Sequence, residues 1–425
     1  MRSKTGLLSV TALAAIGGAV FVGTTPAKAT AIGDIFYIAL ENHNFTQPSG
    51  LTGSPEQLLG NPAAPYLNSL VTPGNPNAAD VSYASHYTNV PPQTAGSPSG
   101  AGPLHPSEPN YVWAEAGLTG ARNDDDPYAP GIMNDTALLP STNPTNNTIN
   151  AMNLSGQLQK AGISWMSYQE DTDLETVGGQ LTNTVVPKSE YTVPLSSLSG
   201  TSSTYTNPYN GSHQYNYAAK HDPQVFFTDT NGGDNTTPSN PEASHYAPLQ
   251  QLATDLADNT VGRYNWITPD QYNEMHSSLT GGFTYNGVHY TGDQAAIAEG
   301  DNFLSIVVPE IEASAAFKND GEIVLWDDES EGGDGPGYDI PEIIISPLAK
   351  GNAYTNDINY THSSDLATDE AIFGLPCLAG ACDTNTLADL YKPGTIPAPV
   401  PEPAGLLLLG SGLIGLGLVR RWRRA

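Results

Sequence analysis

Ile35-Phe36-Tyr37-Ile38-Ala39-Leu40-Glu41-Asn42-His43 is the stretch on which the fold reading turns. Six residues with no polar alternation predict a strand covered on both faces, and such strands belong to parallel sheets flanked by helices. The abrupt change to Glu41-Asn42 marks its carboxyl end, the edge at which open α/β sheets collect ligands.

The pattern repeats outward from this strand. Leu154, Leu158 and Ala161 share a helical face closed by Gly162, after which Ile163 to Tyr168 reads as a strand running into Glu170-Asp171. Leu249, Leu252, Ala253 and Leu256 form a second helical face ahead of the strand Tyr264 to Ile267. Asp301 or Asn302 is placed to cap a helix with Phe303, Ile306, Val307 and Ile311 inward and Pro309 as a kink point. Strands follow at Ile323 to Trp326 and Ile343 to Ile345. Helix-then-strand order predicts a three-layer α/β/α sandwich around a mostly parallel central sheet. The polar stretches Ser196 to Tyr217 and Asp229 to Tyr246 are longer than ordinary connections.

The 425 residues carry 15 Lys+Arg against 44 Asp+Glu, a formal charge of −29. A polyanion would be repelled over most of such a surface, which excludes nucleic acid as the expected partner. With 43 Gly, 35 Pro and only 14% charged residues, the composition is that of a loop-rich extracytoplasmic protein.

Both ends read as addresses. Arg2 and Lys4, the apolar run Leu7 to Val22 and the small residues around Ala29 predict a signal peptide over 1–31. At the other end Val400-Pro401-Glu402-Pro403 precedes an apolar run from Gly405 to Val419 and then Arg420, Arg421, Trp422, Arg423 and Arg424. That run is short for a stable span, and the arginines would hold its end in the cytoplasm, giving transient or persistent membrane attachment. The expected organisation is a domain over 32–390, a Pro-rich linker over 391–404 and a tail over 405–425. Cys377 and Cys382 could close a small disulfide loop in an oxidising compartment; a metal or redox role is the less favoured alternative.

Two strand ends are rich in oxygen ligands, Glu41-Asn42 and Asp327-Asp328-Glu329. If those strands are neighbours, hard oxygen donors from two places in the sequence would converge on one divalent cation. Alone, either cluster reads more simply as a solvated turn, as Asp124-Asp125-Asp126 does. Among 9 histidines, His276 follows a strand end by a short loop, His221 lies in Lys220-His221-Asp222-Pro223 and His105 opens His105-Pro106-Ser107-Glu108-Pro109-Asn110-Tyr111. There is no Gly-x-Ser-x-Gly elbow, no HExxH, no P-loop and no dinucleotide fingerprint, so serine hydrolase, zincin and NTPase readings lose support.

Taken together the segments resemble the bacterial phosphoesterase family that holds secreted acid phosphatases and phospholipases C, within the alkaline-phosphatase-like fold. The resemblance is carried by Glu41-Asn42-His43, Ala64 to Leu70, His105 to Tyr111, Leu158 to Trp165, Lys220 to Pro223, Trp266 to Pro269 through Met275-His276, Asp328-Glu329 with Gly332-Gly333, and Tyr360 to Ser364. The His-Pro-Ser-x-Pro-Asn-Tyr segment points to the acid-phosphatase-like branch. The stretch Pro91 to Leu104 intervenes where relatives run on more directly. The tail resembles the PEP-CTERM sorting signal, which implies processing by an exosortase-like enzyme in the envelope of a Gram-negative bacterium.

The resemblance implies that Glu41, Asn42, Asp328 and Glu329 bind a divalent metal ion, with Asp327 and Asp328 as the alternative register of the acidic pair. It further implies that Ser107 is the nucleophile toward a phosphate ester, forming a phosphoseryl intermediate, and that His276 and His221 contact phosphate or protonate the leaving oxygen. His105 is expected to orient the Ser107 loop and His362 to serve the fold. The competing expectations are a phospholipase C acting on a lipid phosphodiester, and a non-catalytic cation-binding surface or matrix protein.

Overall fold

The apolar run Ile35–Leu40 forms strand β1, fully buried, in the middle of a seven-stranded sheet. The other strands are β2 (Val81–Tyr83), β3 (Trp165–Gln169), β4 (Tyr246–Pro248), β5 (Tyr264–Thr268), β6 (Glu322–Asp327) and β7 (Glu342–Ile345). They lie in the order β2-β7-β6-β1-β5-β3-β4. Strand β1 pairs in parallel with β5 and β6, β3 pairs in parallel with β5 and β4, and β7 runs antiparallel between β6 and β2. This computed structural model describes residues 32–46, 57–89, 105–118, 126–127, 148–233, 235–331, 339–382 and 384–399.

The two-residue period of a strand sorts side chains to two cores. Ile35, Tyr37 and Ala39 face one side with Trp266, Val324 and Trp326; Phe36, Ile38 and Leu40 face the other with Ile267, Ile323 and Leu325. The first face is covered by α2 (Glu108–Ala116), α3 (Leu154–Ala161) and α7 (His362–Phe373). On the second lie α1 (Pro65–Leu70), α4 (Leu252–Asp258), the long α5 (Asp293–Ala313) and α6 (Ala315–Lys318). The expected three-layer α/β/α sandwich is therefore present.

One helix start differs from the expectation. Helix α5 begins after Gly292, so Asp301 lies inside it rather than at its cap. The upstream residues Ala295, Ala296, Ile297 and Ala298 are buried helix formers that extend it backwards. The Asp301 carboxylate instead accepts the backbone N–H groups of Tyr66 (2.9 Å) and Leu67 (2.7 Å), capping α1 across the packed face. Asn302 likewise sits within the helix, which continues through Pro309. The polar stretch from Ser196 holds an antiparallel pair, Leu198–Thr201 with Gln214–Tyr217.

Cys377 and Cys382 are joined by a disulfide. Packing continues into the Pro-rich segment, where Tyr391 is buried and bridges Ala349. The expected signal peptide over 1–31, the stretch Pro91 to Leu104, Asp124, Asp125 and the C-terminal tail lie outside the described residues. Among the described residues, no helix is long and apolar enough to cross a membrane.

Beneath the first face lies a second collection of acids. Glu322 opens β6, Glu342 opens β7, and Asp365 and Asp369 stand one turn apart on α7, all buried. Tyr37 donates to Asp369 (2.9 Å) and Tyr87 contacts Asp365. Among the described residues, none of the ion pairs brings a Lys or Arg to this group. Burial, reinforced by mutual repulsion, raises the Glu342 and Asp369 carboxyls well above the ordinary range. Burial pushes Glu322, and on the same face Glu115, up to about 7.

These groups hold protons that the unfolded chain has already released at the same pH. Their stabilisation is complete below the unfolded values and is lost as pH rises through the folded ones. The thermal midpoint of metal-free protein should therefore be highest near pH ~5 and fall steadily towards pH ~8; calorimetry across that range checks the sign, and a midpoint that rises with pH would contradict it.

Candidate active site

Leu40 of β1 and Asp327 of β6 are register partners, so Glu41-Asn42 and Asp328-Glu329 leave the sheet side by side. The two turns are stitched together: Asp328 N–H donates to the Leu40 carbonyl (3.2 Å) and Asn42 N–H to Asp328 Oδ1 (3.1 Å). Asn42 adopts a left-handed backbone (φ 54°), which asparagine tolerates better than most residues. Its side-chain amide end lies 3.1 Å from Glu41 Oε2, 3.1 Å from Glu329 Oε1 and 3.2 Å from Asp328 Oδ1. Glu41, Asp328 and Glu329 are buried.

Ser107 stands at the N-terminus of α2, yet its hydroxyl makes no capping bond. It donates to Glu41 Oε2 (2.9 Å) and faces Glu329 Oε1 (3.4 Å). One turn into the helix, Asn110 Nδ2 donates to Glu329 Oε2 (3.1 Å), and His105 Nδ1 lies 2.9 Å from Glu329 Oε1. Thus His105 acts on an acid of the centre as well as preceding Ser107.

His221 is fully buried at the end of the 3-10 turn Ala219–His221. Its Nε2 lies 3.2 Å from Glu41 Oε1 and its Nδ1 2.8 Å from Glu274 Oε1. Tyr111 of α2 stacks on the ring at 5.0 Å, and Thr268 Oγ1 donates to the His221 carbonyl (2.9 Å). His276 is half-buried, with its ring centre 5.9 Å from that of His221. Burial, with added repulsion between carboxylates, raises Glu41, Asp328 and Glu274 well above ordinary values, and burial pushes His221 down.

His362 donates through Nε2 to the Asp328 carbonyl (2.7 Å), which requires Nδ1 to accept from the Tyr87 hydroxyl (2.7 Å). It props the backbone of an acidic residue from below, and burial lowers it to about 3.

Glu274 was missed in the sequence, because an acid between Asn273 and Met275 carries no spacing signal. Its backbone carbonyl accepts Glu41 N–H (2.8 Å) while its carboxyl faces His221, so one residue holds two members of the centre. The loop that carries it is pinned by Glu170 at the end of β3, which accepts from Asp270 N–H (2.8 Å), Asn273 Nδ2 (2.8 and 3.0 Å) and Asn207 Nδ2 (2.7 Å). Glu170, Asp171 and Asp270 cluster closely, but their oxygens are taken by protein donors, so the cluster serves to hold the loop.

The described site residues fit a divalent cation. Three buried carboxylates and an amide converge from two neighbouring strand ends, Asp328 Oδ2 has no hydrogen-bond partner, and no Lys or Arg among the described residues forms an ion pair with them. An all-oxygen set of this kind suits Mg²⁺, Ca²⁺ or Mn²⁺. Asp328 and Glu329, rather than Asp327, are the acids whose oxygens meet the Asn42 amide.

Between Glu274 and His276, Met275 is buried with φ 80°, a strained value for this side chain. It fits because Gly300 of α5 leaves room: a Cβ there would lie 2.2 Å from Met275 Cγ. Gly300→Ala should lower stability by about 1–3 kcal/mol from overpacking, outweighing the ~1 kcal/mol gain in helix propensity. Urea denaturation tests this, and a stabilised variant would show that the loop yields freely.

Comparison with known proteins follows the same lines. The model of the Phosphoesterase family matches residues 101–376, and that of the PEP-CTERM protein-sorting motif matches 399–424. A probable acid phosphatase of Kluyveromyces lactis is 24% identical over 64% of this chain and 50% of its own, so this chain matches half the length of that relative. A phosphatidylinositol-3-phosphatase of Mycobacterium tuberculosis is 24% identical over 91% of this chain and 92% of its own. Among solved structures, a protein in the alkaline phosphatase superfamily from Vibrio parahaemolyticus aligns with 11% identity over 85% of this chain and 73% of that one, TM-score 0.40.

Proposed function

Since the chain belongs to the phosphoesterase family, we propose that it is an exported hydrolase of phosphoric esters, acting on monoesters through Ser107. The observation that carries this reading is the Ser107 hydroxyl directed at Glu41 and Glu329 instead of capping its own helix.

A serine hydroxyl is a weak nucleophile at neutral pH and must lose its proton as it attacks. Glu41 accepts the Ser107 hydrogen bond, and the N-terminus of α2 favours negative charge on the oxygen. Attack on phosphorus forms the Ser107 Oγ–P bond as the bond to the leaving oxygen breaks, and that oxygen takes a proton. His276, half-buried beside His221, is assigned that proton transfer. His221, clamped by Glu274 and Tyr111, is assigned to position a phosphoryl oxygen. Water then cleaves the phosphoseryl bond and restores the hydroxyl. Glu41, Asn42, Asp328 and Glu329 would hold a divalent cation. When bound, such an ion neutralises charge on the phosphoryl oxygens and favours the serine alkoxide.

The sorting motif supports export and exosortase-type processing in a Gram-negative envelope, with the domain released or held at the surface. Phosphodiester cleavage by a phospholipase C is the second reading, raised by the family resemblance rather than by a contact in the site.

Purified residues 32–399 should hydrolyse p-nitrophenyl phosphate in a chelator-sensitive manner. Ser107→Ala should lose at least ~1000-fold in kcat with an unchanged melting curve. Retained turnover in that variant would remove the nucleophile assignment, and preference for the bis-ester would select the second reading.

A further inference from the structure

Ser107 and Asn110 stand three residues apart at the start of α2, a spacing that puts both side chains on one helical face. On that face Ser107 meets Glu41 and Asn110 meets Glu329. A primary amide has one donating and one accepting end, and buried Asn110 has a partner for each. Its Nδ2 donates to Glu329 Oε2 (3.1 Å) and to the Pro106 carbonyl (3.4 Å). Its Oδ1 accepts from Nδ2 of Asn89 (3.2 Å), a buried residue that directly follows the short strand His86–Thr88. A reversed Asn110 amide would set oxygen against two acceptors and nitrogen against a donor, so Asn89 fixes which end Glu329 meets.

The two oxygens of Glu329 are thereby made unequal. Oε1 faces the centre, 3.1 Å from the Asn42 amide end, 3.4 Å from Ser107 Oγ and 2.9 Å from His105 Nδ1. Oε2 is engaged by Asn110 from the helix. This difference bears on which cation the donors suit. Ca²⁺ takes about 6–8 oxygens and readily uses both oxygens of one carboxylate, whereas Mg²⁺ demands a near-ideal octahedron.

We propose that Asn110, locked by Asn89, is a positioning residue that confines Glu329 to one oxygen toward the cation and so selects the smaller octahedral ions, Mg²⁺ and Mn²⁺, against Ca²⁺. The inference rests on the cation-assisted hydrolase reading above. Partners that orient a metal ligand from behind are typically worth roughly 10- to 100-fold in metal affinity. Here the same amide also restricts the denticity of the ligand. Loss of Asn110 therefore costs an octahedral ion more than Ca²⁺, because a released Glu329 can offer Ca²⁺ its second oxygen.

The test is calorimetric titration of the metal-free protein with Mn²⁺ and, separately, with Ca²⁺. Asn110→Ala should raise the Kd for Mn²⁺ by roughly 10- to 100-fold and that for Ca²⁺ by clearly less, so that the preference for Mn²⁺ narrows. Asn89→Ala, which leaves Asn110 in place but unlocked, should act in the same direction by a smaller factor and add nothing in an Asn110→Ala background. Ser155→Ala serves as the control for a loosened helix, since Ser155 Oγ donates to Glu115 at the far end of α2 (2.9 Å), and it should leave both Kd values unchanged. Equal losses for the two ions, an unchanged Kd in Asn110→Ala, or the same selectivity change in Ser155→Ala would overturn the proposal. So would a wild type that binds neither ion. A wild type that binds Mn²⁺ and shows these shifts while cleaving no phosphate ester would refute hydrolysis and still support the role of Asn110.

Discussion

Like charges gathered in a small buried volume are the constraint on which this structure depends. Glu41, Asp328 and Glu329 end adjacent parallel strands and are turned inward together, where water cannot screen them. Such an arrangement persists only if other groups hold each carboxylate in place and something positive balances the set. The surroundings answer the first need in detail. Asn42 places an amide among the three carboxylates, Ser107 and Asn110 donate from α2, His105 faces Glu329, and His362 holds the Asp328 carbonyl from behind. A divalent cation would answer the second, and the oxygen donor set is suited to one.

The same economy of charge extends through the first face of the sheet. Glu115, Glu322, Glu342, Asp365 and Asp369 are buried, and none is among the acids that pair with a Lys or Arg in the described residues. Burial raises the pKa of all five; Asp369 and Asp365 meet the hydroxyls of Tyr37 and Tyr87, while Glu115 accepts from Ser155 and Gln224. One of these links reaches the site: Asp365 contacts Tyr87, Tyr87 donates to His362, and His362 donates to the Asp328 backbone. A chain of contacts thus runs from the buried acids of this face to the backbone of the acidic centre.

Loops do the rest of the positioning. The segment from Asp270 to Ser277 carries Glu274 and His276, and it is tied down by Glu170 from a different strand and by Met275 seated against Gly300. Helix α5 therefore supports the site from behind, through the missing Cβ of Gly300 and through Asp293, which meets His43 beside Glu41.

The sequence by itself determined the strand Ile35–Leu40, the alternation of helices and strands, the parallel core of the sheet and the acids at two strand ends. These are local matters, because an unbroken apolar run, a glycine stop or a polar residue after a strand each follows from backbone and burial energetics over a few residues. Ser107, His221, His276 and the acidic ligand set were read from a family resemblance. What only the tertiary structure decided was which groups meet. Adjacency of β1 and β6 brings Glu41 to Asp328 across a gap of hundreds of residues, Asp301 caps α1 rather than its own helix, and Glu274 finds His221. A carboxylate carries no mark of whether it will cap, hold a loop, keep a proton or face a cation. That choice is made by the dielectric and the donors that folding places around it.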